Sequence, residues 1–116
     1  MQQPTKEEAI KILRAYSDAQ AFYFYMDIGS PTGESAHTLA EFIKTIKTVE
    51  TNSIEFHSRR GDFGNWIKML GDDTLSKQMA NIPKSELMGG PLRKRLLQVL
   101  NLRYGILRKI AETPTN

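Results

Sequence analysis

Ser53, His57, Arg60 and Asp62 are the densest group of versatile side chains in the protein. They lie in the stretch Ser53-Ile54-Glu55-Phe56-His57-Ser58-Arg59-Arg60-Gly61-Asp62-Phe63-Gly64-Asn65-Trp66. On a helix, Ser53, His57 and Arg60 recur at i, i+4 and i+7 and share a face, with Asp62 at the turn that follows. An imidazole, a guanidinium and a carboxylate converging there could grip an anionic group or a partner's backbone. A purely structural role is the stronger reading. In it Asp62 is an N-cap, His57 and Arg60 bond the carbonyls ending the preceding helix, and Phe56, Phe63 and Trp66 are core. His57, Ser58 and Asp62 supply three residue types of a hydrolytic triad. Neighbours at i and i+1 diverge on a helix, however, so Ser58 is badly placed to act on His57. No residue is therefore assigned as catalytic, and an enzyme built on His57, Arg60 and Asp62 ranks third among the functions considered. The Arg60-Gly61-Asp62 tripeptide spells an adhesion motif, which we read as coincidence.

Other chemistry is restricted by what the sequence contains. It has no cysteine, which removes disulfides, thiolate nucleophiles and cysteine-ligated zinc. Its two histidines, His37 and His57, are too few and too widely spaced for a zinc motif, so neither a metal nor a cofactor is expected. Gly89-Gly90-Pro91 lacks the lysine and serine of a phosphate-binding loop. Asp72-Asp73 sits where a helix should start, and capping explains it.

Periodicity indicates the elements that carry these residues. Thr5 and Glu8 have capping-box spacing, and Ala9, Ile12, Leu13 and Tyr16 follow on one face, predicting a helix over roughly 5–20. Phe22-Tyr23-Phe24-Tyr25-Met26 favours a strand by residue type, but no second strand is evident to pair with it. It reads as an extended segment on the core or as more of the first helix, and Gly29-Ser30-Pro31-Thr32-Gly33 reads as a loop. Thr38 and Glu41 open a second helix with Leu39, Phe42, Ile43 and Ile46 on its apolar face. A third starts near Asn52 or Ser53 and ends at Gly61, and Asp62 caps a fourth that Gly71 closes. A fifth opens at Asp72 or Asp73 and stops before Pro83, residues 83–91 are a linker, and a last helix spans 92–111. The expectation is one all-α domain over 1–116, with a short extended segment at 22–26 as the only exception.

That last helix carries a second set of candidates. Leu92, Leu96, Val99, Arg103, Ile106 and Ile110 recur at 4, 3, 4, 3 and 4, a heptad seam. Leu100 and Leu107 flank it, while Leu97, Leu102 and Tyr104 extend apolar surface nearly all round, so the helix wants burial on more than one side. Leu96, Val99, Arg103, Ile106 and Ile110 are the candidate interface for a protein partner or a homodimer, with Arg103 setting register. The alternative is that Arg103 meets an acid of residues 1–91 within its own domain. Charge is concentrated here: residues 92–116 carry six Lys/Arg against one Asp/Glu, whereas residues 1–91 carry ten against twelve. Lys94, Arg108 and Lys109 could face RNA or another polyanion, although no RNA-binding signature accompanies them. A helix-turn-helix is disfavoured because Phe63, Trp66 and Ile67 would enter the groove where polar readers are needed.

The spacing Ser-x-x-Phe-His-x-x-Arg-x-Asp-Phe-x-x-Trp resembles an uncharacterised prokaryotic family of small helical domains. Phe22-Tyr23-Phe24, Thr32-Gly33, Ala36, Leu39-Ala40-Glu41-Phe42 and Leu70-Gly71-Asp72 resemble it too. The resemblance spans roughly residues 20–80, leaves the C-terminal helix outside, and implies only that His57, Arg60, Asp62 and Trp66 matter together.

Hydrophobic residues at 40% and charged residues at 25% are ordinary for a globular domain. No apolar run reaches the ~20 residues of a membrane span, and the polar, acidic start differs from a secretion signal. A cytoplasmic, non-enzymatic protein-interaction or self-associating module is the leading expectation, with a nucleic-acid-associated protein next.

Overall fold

The computed structural model describes residues 3–82 and 88–114. Helix α1 spans Lys6–Leu13, strands β1 and β2 span Phe22–Asp27 and Ser30–Ala36, and α2 spans Leu39–Thr48. Helices α3 (Thr51–Arg60), α4 (Asp62–Leu70), α5 (Asp73–Ala80) and α6 (Gly89–Ala111) follow. The fold is thus mainly helical with a long C-terminal helix, but it is not all-α.

The correction lies in the hairpin. β1 and β2 pair antiparallel around Ile28-Gly29, with Phe22 opposite Ala36 and Tyr25 opposite Pro31. Gly29 takes φ 75°, as the tight turn needs. Pro31 and Gly33 disguise β2 as a loop, because both residues are depleted in strands. An edge strand tolerates them, and here the register shifts on both sides of Tyr25. The Thr32 hydroxyl also donates to the Phe24 carbonyl at 2.9 Å, supplying a cross-strand bond from a side chain.

The first helix is shorter than its apolar periodicity implies. Tyr16 leaves the helix, its N–H donating to the His37 carbonyl at 2.8 Å and its hydroxyl to the Lys11 carbonyl at 2.8 Å. That hydroxyl takes over a carbonyl that the helix end leaves unpaired. The capping box of Thr5 and Glu8 is complete, whereas Thr38 caps α2 and Glu41 reaches past it to the His37 N–H.

Gly61 and Gly71 end α3 and α4 in the left-handed conformation, where a Cβ would be strained. Asp62 does not cap α4: the N-cap is Gly61, which has no side chain to bond that helix start. Of the expected linker, residues 83–87 lie outside the described residues, and Gly89, Gly90 and Pro91 form the first turn of α6. A proline in a first helical turn costs no hydrogen bond, since that N–H has no intrahelical acceptor.

All described helices feed one core. Phe22 and Phe24 from β1 meet Phe42, Phe63 and Trp66, with Phe42 stacked on Trp66 at 5.1 Å. Leu92, Leu96, Leu100 and Leu107 bring α6 into the same cluster.

Candidate functional site

The 53–66 cluster is assembled at the α3–α4 turn. His57, 4% exposed, lies between the two elements its ring nitrogens reach. The Tyr25 backbone N–H donates to Nε2 at 2.9 Å, and Nδ1 lies 2.8 Å from Asp62 Oδ2. An amide can only donate, so Nε2 is unprotonated and the proton sits on Nδ1, pointed at the carboxylate. Burial pushes the imidazole below its ordinary pKa; the hydrogen bond and charge of Asp62 oppose this, and Arg60 adds to it. A neutral histidine with both nitrogens engaged has no lone pair left to take a substrate proton. It stands in for the strand that β1 lacks on that side and ties the hairpin to α3 and α4.

The other members divide by burial. Trp66 is 8% exposed and donates its indole N–H to the Gln20 carbonyl at 2.8 Å, so it is core with its polar edge satisfied. Ser53 is fully buried, and its Oγ has no hydrogen-bond partner among the described residues. Arg60 is half exposed, stacked over Phe56 at 4.9 Å and 3.4 Å from Asp62 through Nε. Its pairing with Asp62 across a helix turn makes Arg60-Gly61-Asp62 a junction between helices. A crevice of about 370 Å³ opens beside the cluster, lined by Tyr25, Ile28 and Phe56 together with His57, Arg60 and Asp62. Those three polar groups are bound to one another.

The C-terminal candidates sit differently from the seam expected for them. The inward stripe of α6 is Leu92, Leu96, Leu100 and Leu107, all at most 2% exposed. Leu96 is therefore covered by its own domain. Arg103 also faces inward: its Nε and Nη2 each reach an Asp72 oxygen at 2.8 Å, and that carboxylate additionally accepts the Leu75 N–H as the N-cap of α5. Asp72 is 2% exposed, so this is a bidentate pair largely out of solvent. Of the two roles open to Arg103, pairing within the domain is the observed one.

Arg93 makes a second inward contact, at a position that no local pattern in the sequence singles out. Its guanidinium donates at 2.7 Å to the Ile46 and Val49 carbonyls at the end of α2. Glu55 accepts the Gly89 N–H at 2.8 Å, placing an anion at the N-terminus of α6. Cationic residues near carbonyls that end a helix are common, but a partner more than forty residues away leaves no signature in the neighbouring residues.

Val99 and Ile106 occupy the next flank of α6, with Ile110 half-buried beyond them. With Leu102, 72% exposed, Val99 and Ile106 line a groove of about 420 Å³ between α5 and α6. Ile82, Gln78, Asn81, Gln98, Arg95 and Arg103 complete it. On the polyanion face Arg108 is tied to Glu112 at 2.6 Å, while Lys94 and Lys109 are exposed. The hydrogen bond that Arg108 donates to Glu112 raises the Arg108 pKa, so that guanidinium stays charged and paired. Among the described residues, no group of three or more potential ligands could hold a metal, and no helix is long and apolar enough to cross a membrane.

No curated protein and no solved structure matches the chain. A family match does, and it reaches well beyond the 20–80 expected, taking in α1 and the first half of α6. That extent suits a helix whose Leu92, Leu96 and Leu100 are core. The model of a family of unknown function, DUF5752, covers residues 3–101, and the chain belongs to that family.

Proposed function

We propose that this domain is a non-enzymatic protein-interaction module whose docking surface is the flank of α6 that faces α5. One observation carries the reading. Leu102 stands 72% exposed in the middle of a groove, between Val99 and Ile106, on a helix whose opposite needs are already met inside. Covering a leucine of that exposure gains roughly 1–2 kcal/mol, and the two half-buried neighbours add to it. Apolar side chains aligned in a groove suit a helix laid lengthwise. The interface expected from the heptad seam narrows accordingly: Val99 and Ile106 remain, Leu102 joins them, Leu96 belongs to the interior, Arg103 lines the groove while tied to Asp72, and Ile110 lies beyond it.

The test is nuclear magnetic resonance on the labelled full chain, titrated with a leucine-faced amphipathic helical peptide. Amide shifts confined to residues 78–82 and 95–106, lost in Leu102→Glu, are the expected result. A wild type showing no shift there, and sedimenting as a monomer, would sink the proposal.

A further inference from the structure

If the α6 flank is a docking surface, as proposed, its charges define the kind of partner it takes. Arg95, Val99, Leu102, Ile106 and Lys109 recur along α6 at 4, 3, 4 and 3 residues. This is again heptad spacing, on the flank next to the buried stripe. Its three middle members are apolar and line the groove. Its two outer members are cations, both exposed, and neither side chain has a hydrogen bond or ion pair among the described residues. The other arginines of the helix differ in this respect. Arg93 is held by carbonyls, Arg103 by Asp72 and Arg108 by Glu112. No carboxylate lines the groove among the described residues; besides Arg95 its polar lining is Gln78, Asn81, Gln98 and Arg103, the last already paired with Asp72.

The pattern argues against a second copy as occupant. In an antiparallel pair centred on Leu102, Arg95 of one copy meets Lys109 of the other, since each stands seven residues from Leu102. In a parallel pair in register, each cation meets itself. Like charges opposed across an interface are unfavourable either way. A partner with carboxylates at both ends of its apolar row has neither problem, and it can lie in either direction.

We infer that the α5–α6 groove takes an acidic amphipathic helix from another protein. Its apolar row packs on Val99, Leu102 and Ile106, and carboxylates flanking that row meet Arg95 and Lys109.

Three labelled synthetic helical peptides test this by fluorescence polarisation against the full chain at low salt. All carry the same three leucines at spacings of about four and three residues, and they differ only in the two seam positions beyond them, Glu, Gln or Lys. The Glu peptide should bind at least about tenfold more tightly than the Lys peptide, with Gln between. Added salt should shrink the difference. Arg95→Glu with Lys109→Glu should invert the order, and Leu102→Glu should abolish binding of all three. These side chains are exposed, so unchanged melting temperatures verify that the variants fold. Equal affinities for the three peptides, still abolished by Leu102→Glu, would overturn the acidic partner and leave the docking surface standing. No peptide binding, together with a dimer that Leu102→Glu dissociates, would make a second copy the occupant and overturn the acidic partner alone. No binding by a monomeric protein would overturn both.

Discussion

The α3–α4 turn and helix α6 both concentrate charged and apolar residues, yet they differ in what those residues have left to offer. At the turn, His57 has one nitrogen on the hairpin backbone and the other on Asp62, which also holds Arg60. Along α6, one side is equally committed, through Arg93 and Arg103. The adjacent flank keeps an exposed leucine and two cations without partners among the described residues. Density of polar residues therefore marks where elements are joined. On the proposed reading, uncommitted groups arranged around apolar surface are what another molecule would engage.

The largest test of this contrast is at the committed side of α6. Arg103→Met leaves the Asp72 carboxylate buried without its countercharge and should cost about 3–5 kcal/mol in urea unfolding at neutral pH. A loss under about 1 kcal/mol would mean that α6 is not anchored there and that its two sides are alike. Next comes the turn. His57→Ala removes the acceptor of a part-buried N–H and opens a cavity among Phe22, Phe56 and Phe63, for about 2–4 kcal/mol.

The histidines sharpen the comparison through pH. Burial holds the folded pKa of His57 below its ordinary value. The unfolded chain then takes up the proton first, near pH 6.5. The stability His57 gives is complete above that pH and drains away as pH falls toward the folded value. His37 has the opposite sign. Its hydrogen bond to Asp18 raises its pKa, so its contribution is complete below about 6.5 and is lost as pH rises through the folded value. His37 is the more exposed, so urea midpoints should fall between pH 7.5 and 5.5 in the wild type and flatten in His57→Gln. A wild-type midpoint that rises over the same interval would refute the neutral, double-bonded His57.

Two smaller effects complete the set. Ser53→Ala removes a buried hydroxyl that has no partner among the described residues, and should be neutral or stabilising by up to about 1 kcal/mol on thermal melting. A loss above that would show that the hydroxyl is satisfied. Leu102→Glu should change stability by less than about 0.5 kcal/mol, because the side chain meets solvent. A larger loss would place Leu102 with the interior and erase the difference between the two flanks.

How much the sequence discloses depends on how local each cause is. The cap at Thr5, the ends at Gly61 and Gly71 and the cap at Asp72 are set within one helical turn, and all are readable. Asp62 is misread as a cap because its carboxylate goes to a histidine on the preceding helix. β2 is hidden because Pro31 and Gly33 speak for a turn, while the pairing that makes it a strand comes from Tyr23 and Tyr25. For α6, the amount of apolar surface is plain, but its phase is not. Three stripes fit the same residues, and only the position of Asp72, 31 residues away, decides that Arg103 turns inward. The members of the 53–66 group are likewise visible by type, while their mutual saturation depends on the Tyr25 backbone.

Arg93 gives the order of assembly a direction. The carbonyls at the end of α2 find their donors in a side chain 44 and 47 residues later, and the start of α6 finds its anion in α3. While the chain emerges from a ribosome, the end of α2 must wait open, and Glu55 of α3 without its Gly89 donor, until α6 arrives. The C-terminal helix is thus the bolt that closes the domain, and a partner waiting at its outer flank would find a surface only on chains that have finished folding.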